Sequence, residues 1–421
     1  MTAFIFLPLI IAFLLFPIAA AVCLMIPRKA VRNWGFLVVN VAGAMALCFA
    51  EAARGLHMYQ ARAFVVVAAF FLSLYLVTVL GHFLTLRLAF GKQGVFTTIS
   101  LLYPILLLLI VKYLPQSYNP LNGYLVPFEK VMPVFFVGIS YMAFRLNYMA
   151  LEVRNGVVPP PTLTEHMSFA FFVPTLVVGP INHYSTFIES YYRRPATRSV
   201  AAPLLRIVVG LTKYLFIASV ISQLAYAGLM LDGHPHTWID LAIAAPMFYL
   251  YLYCNFSGYC DMAIGAAGLL GIEVEENFEN PLASRNLQEF WNRWHITLST
   301  YMRDVMFAPL SKALVTAVGP KNANHAIAAV IVTVFLVIGA WHGVGLQFAL
   351  FGLCHGVGVA TCHYYTVFLK KRLGKAGYAA YNRNRWIKYA GIAVTFAFNS
   401  AALFLFANNW QDASRIFGTL R

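Results

Sequence analysis

The sequence predicts an all-α, polytopic transmembrane protein, and three observations carry that prediction. Of 421 residues, 61% are hydrophobic and 15% aromatic while only 11% are charged, a balance that no single soluble core absorbs. Apolar runs of about twenty residues, the length that crosses roughly 30 Å of hydrocarbon, recur along the chain. In the first half each run is followed by charge or by Pro and Gly, which separate one helix from the next.

Taken in order, the predicted spans run near 3–26, 34–50, 63–86, 94–113 and 131–150, then 203–229, 237–254, 327–345, 346–369 and 387–406. A charged interruption occupies 271–326. The first run has no basic segment before it and is longer than the apolar core of a signal peptide, so it is expected to stay attached. Its basic flank follows it, in "PRKAVR", which puts the N-terminus outside and Arg28, Lys29 and Arg32 in the cytoplasm. By the same rule the loop with Arg193, Arg194, Arg198 and Arg206 is cytoplasmic, as is the basic run from Lys370 to Lys388.

Counting spans from an outside N-terminus puts 151–166 inside, so the apolar piece 168–181 cannot cross fully without exporting the arginine loop, and it is predicted to be re-entrant. Its sequence, "SFAFFVPTLVVGPINHY", carries Pro174 and the pair Gly179-Pro180, which break a helix and free backbone groups. Such backbone survives at membrane depth only where protein or a wet cavity surrounds it. The net charge of +15 is accounted for by cytoplasmic loops facing anionic lipid, without nucleic-acid binding. The six cysteines lie in or beside apolar runs with neither metal-site nor disulfide spacing, and read as packing residues. No phosphate-cradling glycine loop, nucleophile elbow or internal repeat is visible.

Inside the charged interruption stands "EFWNRWHITLSTYMRD". Asn286 followed at the third position by Glu289 has the form of a capping box, so a helix from about 287 to 307 is predicted. Phe290, Trp291, Trp294, Leu298, Tyr301, Met302 and Val305 fall on one side, with His295 among them. Asn292, Arg293, Thr300, Arg303 and Asp304 occupy the other. That pattern suits a membrane interface, where His295 is either a buried, hydrogen-bonded core residue or part of a site.

His342 stands in the apolar run "VTVFLVIGAWHGVGLQFALFGLCHG", where an ionisable group is expensive and is usually kept for a task. Gly339, Gly343 and Gly345 let helices or a substrate approach the imidazole. His355 and His363 follow; hydrogen bonding between helices is the expected role of each, and they stay outside the predicted catalytic set.

These stretches resemble the membrane-bound O-acyltransferases, the MBOAT family. The resemblance runs from "VGISYMAFRLNYMALEVRNG" through "FFVPTLVVGPINHYSTF" and "NFSGYCDMAIGAAGLLGIEVEENFENPLASRNLQEFWNRWHITLSTYMRD" to "GAWHGVGLQFALFGLCHG", roughly 132–360. Its motifs look like those of two bacterial branches, one transferring D-alanine to teichoic acid and one acetylating polysaccharides such as alginate. The chain mixes features of both: "FWNRWH" resembles the first, "FSGYCDMAIG" resembles the second as well, and the glycine-rich basic stretch of the second is absent from "FAPLSKALVTAVGP", which leans the resemblance to the first.

The resemblance implies a ring of about ten to eleven spans with re-entrant segments and a thinned centre. It divides the single membrane domain into N-terminal helices (1–130), a catalytic core (131–369) and a basic cytoplasmic loop with a final span (370–421). It places the family's principal histidine at His342 and a second at His295. Trp291, Asn292, Arg293 and Trp341 complete the expected substrate-binding set, with no metal. The implied reaction moves an acyl group, D-alanyl or acetyl, from a thioester to a hydroxyl. His342 would act as general base, since imidazole with an ordinary pKa near 6.5 is largely neutral at cellular pH, while His295 would orient the donor or stabilise developing charge. The protein holds no cofactor of its own. Coenzyme A or a carrier protein's phosphopantetheine arrives with the donor on the cytoplasmic face of a bacterial inner membrane, an envelope polymer accepts outside, and accessory envelope proteins are possible partners. A transporter or flippase for an envelope precursor is the alternative, with His342 relaying protons.

Overall fold

The computed structural model describes residues 9–55, 61–91, 94–113, 138–193 and 200–421. The predicted span starts at 3–8 and 131–137, together with Arg194 and Arg198, lie outside the described residues. Regular structure among them is helical, the only strand-like pairings being the isolated bridges His236 with Leu420 and Phe278 with Trp294. Among the described residues, seven helical segments are long and apolar enough to cross a membrane, and Ile11–Leu24 and Val95–Ile110 are apolar but shorter. This is a multi-pass membrane protein. The six cysteines are free thiols.

The chain forms two compact units, residues 1–210 with 259–275, and residues 211–258 with 276–421. The first contains α1 (Phe16–Leu24), α2 (Lys29–Gly55), α3 (Ala61–Ala89), α4 (Val95–Tyr113), α5 (Ile139–Arg154), α6 (Leu163–Ala170), α7 (Tyr184–Tyr192) and most of α8 (Ala201–Leu211). Thr162 starts α6 with a reciprocal cap: Glu165 N–H donates to its hydroxyl, and its own N–H donates to Glu165 Oε2 at 2.7 Å. After Ala170 the backbone is irregular, with one tight turn at Val173–Thr175, and Phe169 to Val173 are fully buried. The predicted helix-breaking stretch is therefore irregular and enclosed by protein.

Side chains from neighbouring helices bind the backbone that this break frees. Arg145 on α5, fully buried, donates to the carbonyls of Phe169 and Ala170 at 3.1 and 2.9 Å and to Thr175 Oγ1 at 3.2 Å. Asn40 Oδ1 on α2 accepts from Val173 N–H. Glu152, near the end of α5, accepts from the N–H groups of Tyr184 and Ser185 and from the Ser185 hydroxyl, which caps α7 and restarts helix after the break.

The second unit contains α9 (Ala218–Ser222), the first two-thirds of α10 (Trp238–Leu269), α11 (Leu287–Arg293), α12 (Ile296–Met302), α13 (Ala308–Val318), α14 (Ala323–His342), α15 (Leu346–Arg383), α16 (Arg385–Ala407) and α17 (Trp410–Thr419). Here the structure corrects two expectations. The helix predicted over 287–307 is interrupted at Trp294 and His295, and His295 takes a left-handed backbone (φ 46°) that few side-chain-bearing residues adopt. The preceding loop holds the interruption open: Glu279 N–H donates to Arg293 O, and Ile296 N–H to Asn277 O, replacing helical bonds. Asn286 does cap α11 by accepting from Glu289 N–H at 2.8 Å, but the Glu289 carboxylate binds Arg285 N–H, one residue earlier than a closed capping box.

The second correction concerns the basic run from Lys370. It continues α15 as helix to Arg383, with a bend at Gly374 (φ 66°), so the connection to α16 is reduced to Asn384, whose side chain caps the next helix. Lys, Arg and Ala recur in this run and are good helix formers.

The α14–α15 crossing accounts for part of the glycine cluster around His342. A Cβ on Gly339 would overlap the Phe348 carbonyl, and one on Gly352 would overlap the Phe335 carbonyl. Gly352→Ala is therefore expected to cost about 1–3 kcal/mol by forcing the helices apart. The check is the thermal unfolding midpoint in detergent, and a midpoint equal to wild type would refute the tight crossing.

Candidate active site

Four polar residues on four different elements line one small cavity in the second unit: His295 at the α11–α12 break, His342 at the end of α14, His355 on α15 and Asn399 on α16. The cavity measures about 60 Å³, and its remaining walls are apolar, chiefly Phe256, Phe290, Trp291, Trp294, Phe351 and Phe406. Each histidine is framed by these rings. Phe256 meets His295 edge-on at 4.8 Å between centroids, Phe406 meets His342 at 5.0 Å, and Phe351 lies 4.6 Å from His355.

The hydrogen bonds fix which nitrogen of two imidazoles carries the proton. Asn277 Oδ1 accepts from the N–H and the hydroxyl of Thr297, which orients its amide; His295 Nδ1, 3.1 Å from the same oxygen, must therefore be the protonated nitrogen. Neutral His295 then has its lone pair on Nε2. Burial favours that neutral form, pushing His295 down to about 3, with His342 adding to the shift. In His355 the order is reversed. Trp291 Nε1–H can only donate, and it does so to His355 Nδ1 at 3.2 Å, so the His355 proton is on Nε2.

Three of the cavity's polar atoms have no hydrogen-bond partner although they are buried: His295 Nε2, His355 Nε2 and Asn399 Oδ1. The Asn399 amide is oriented too, because its Nδ2 donates to Thr395 O at 2.7 Å. An unsatisfied buried polar group costs about 1–3 kcal/mol, and three around one cavity mark a place built to hold a polar ligand. The left-handed backbone of His295 belongs with this pattern, since strain of that kind concentrates at functional sites.

The predicted site residues divide as follows. His342 and His295 meet at the cavity, and Trp291 forms part of its wall. Trp341 is not in the wall but is near both histidines, 4.6 Å from His342 and 6.3 Å from His295 between ring centroids. Asn292 is exposed and lines a second, larger cavity of about 380 Å³, together with Ser299, Thr300 and Arg303; Trp291 is common to both cavities. Arg293 lines neither and pairs with Glu289 at 2.8 Å, an anchoring role. His363 binds Asn324 across helices, as expected. His355 also makes an interhelical bond, but its other nitrogen belongs to the cavity. Asn399 had a readable signal, an amide inside the apolar run "TFAFNSAALFLF". Asn277 had none. Among the described residues, no group of three or more His, Cys, Asp or Glu side chains is arranged to hold a metal ion.

A membrane helix protein with buried imidazoles gathered around a small aromatic-walled cavity fits an enzyme that moves a group between substrates, and the family comparison agrees. The model of MBOAT, the membrane-bound O-acyltransferase family, matches residues 69–396, and the chain belongs to that family. It is an O-acyltransferase. Among its relatives is a teichoic acid D-alanyltransferase of Streptococcus thermophilus, 30% identical over 66% of this chain and 69% of that one. The Bacillus subtilis protein of the same name is 27% identical over 81% and 85%. A probable alginate O-acetylase, AlgI, of Azotobacter vinelandii is 29% identical over 68% of this chain and 58% of its own length.

Proposed function

We propose that this O-acyltransferase takes a short acyl group, D-alanyl or acetyl, from a thioester on the cytoplasmic side of the bacterial inner membrane and places it on a hydroxyl of an extracytoplasmic envelope polymer. The observation that carries this reading is the cavity itself: His342 and His295 share a space of about 60 Å³, which suits an acyl group of a few heavy atoms. The relatives are named for D-alanyl and acetyl transfer to teichoic acid and alginate, which supports the same size of group.

In this reaction the acceptor oxygen attacks the thioester carbonyl carbon, a C–O bond forms and the C–S bond breaks. His342 takes the hydroxyl proton and returns it to the departing sulfur. His342 is the last residue of α14, where the helix's negative end favours the positive charge that the imidazole gains as it accepts the proton. His295, with its lone pair on Nε2, is suited to orient the donor by accepting from one of its N–H groups, which leaves the acceptor's single hydroxyl proton to His342. Direct transfer fits better than an acyl-serine route, since neither Ser257 nor Ser299 lines the cavity. The donor brings coenzyme A or a carrier's phosphopantetheine. The larger cavity beyond Trp291 suits the arm that carries the acyl group, and the excess of basic residues would steer an acidic carrier or polyphosphate to the cytoplasmic face.

The test is to isolate envelopes from cells that make the protein and from cells that lack it, release esters with base and weigh the acyl groups. An acetyl or alanyl mass that depends on the protein supports the reading. Movement of a labelled envelope precursor with no new ester would replace it with transport.

A further inference from the structure

The cavity contains a fixed hydrogen-bond donor that the reaction as written does not use. Of its three unpartnered atoms, His295 Nε2 and Asn399 Oδ1 are acceptors, while His355 Nε2 carries a proton. A carbonyl oxygen turning into an oxyanion needs a donor, so neither acceptor can serve it. We propose that His355 is a catalytic residue of this enzyme, donating its Nε2–H to the acyl carbonyl oxygen, and that Trp291 is the positioning residue that sets its tautomer. The proposal rests on the acyl-transfer reading above and adds to it the group that stabilises the transition state.

The surroundings of His355 suit that task. The residue is 1% exposed, and its ring is held by Phe351, Phe398 and Phe335 at centroid distances of 4.6, 5.4 and 6.5 Å. It therefore cannot swing to find another partner. The Trp291 N–H occupies Nδ1, so the Nε2 proton is present whatever the state of its neighbours. A donor preoriented in a dry, aromatic surround acts with little reorganisation as charge develops. As the hydroxyl oxygen attacks, the carbonyl π electrons move onto oxygen beside His355. The collapse of that oxyanion restores the carbonyl and expels the thiolate, which takes the proton held by His342. No oxidant or further reactant is needed.

The experiment uses the full-length protein in membranes, with acetyl-pantetheine or D-alanyl-pantetheine chosen by the acyl mass released from cells, and isolated envelope as acceptor. His355→Leu is expected to lower kcat about 10²- to 10³-fold with KM for the thioester little changed. His355→Gln, which keeps an N–H near the same position, is expected to recover at least about tenfold of that loss. Trp291→Phe should lower kcat in the wild-type background and have no further effect on top of His355→Leu. It also carries the test alone if the leucine variant does not accumulate. A His355→Leu protein with wild-type kcat, a loss confined to KM, or a glutamine variant no better than leucine would each overturn the assignment. Measuring His342→Ala alongside separates the two failures: activity there sinks the acyl-transfer site as a whole, whereas silence there with a fully active His355→Leu sinks the donor alone.

Discussion

Replacing His342 with alanine is expected to lower ester formation about 10²- to 10⁴-fold while the protein stays in the membrane at wild-type abundance. The size follows from the role, since a positioned general base typically contributes that factor, about 3–5 kcal/mol of barrier. The stability of the fold should depend little on this side chain. His342 ends α14 and lines the cavity, while the helix crossing that holds the region together is made at Gly339 and Gly352, on the preceding turn and on the facing helix. Base-released acyl groups, weighed from envelopes of cells with equal membrane levels of wild type, His342→Ala and His295→Ala, make the measurement. His295→Ala should retain more activity than His342→Ala, because orienting the donor is a smaller contribution than taking the acceptor's proton. Undiminished ester in His342→Ala would remove the general-base assignment.

How much of this was legible in the sequence depended on where the determining contacts are. The spans were legible because length and apolarity are local properties: the predicted 94–113 and 203–229 match α4 and the apolar segment Ala201–Met230 closely. His342 was legible for the same reason, an ionisable group standing out in an apolar run. The interruption at His295 was not, because it is stabilised by Asn277 and Glu279, from a loop whose pairing with the break no periodicity foretells. The function of His355 was hidden in another way. Its presence could be read, but its tautomer is set by Trp291, 64 residues earlier in sequence and adjacent only in the fold. Sequence reasoning thus found the residue types and two of the three histidines at the cavity, while the direction of each hydrogen bond, which decides the chemistry, came from tertiary contacts.

The same logic makes Arg145 the most consequential structural residue in the first unit. Arg145→Met is expected to destabilise that unit by about 2–5 kcal/mol, at about 1–3 kcal/mol for each buried acceptor left unsatisfied, although methionine preserves much of the apolar volume. The cause is the backbone that the arginine serves. Pro174, which has no N–H, stops α6 from continuing and leaves the Ala170 carbonyl without a helical partner, while the Phe169 carbonyl keeps only a 3.3 Å bond from Phe172 N–H, in a region where Phe169 to Val173 are fully buried. The guanidinium is planar and carries five donors, so one side chain reaches both carbonyls and the Thr175 hydroxyl, while its face meets the Phe169 ring 5.7 Å from the ring centre. A lysine offers a single point of donation and cannot match that fork, so Arg145→Lys should recover only part of the loss. Thermal unfolding in detergent, followed for wild type, Arg145→Lys and Arg145→Met, should therefore give three separate midpoints in that order. A methionine variant as stable as wild type would mean that the irregular segment finds other donors, and that the fork from α5 does not hold the broken backbone in place.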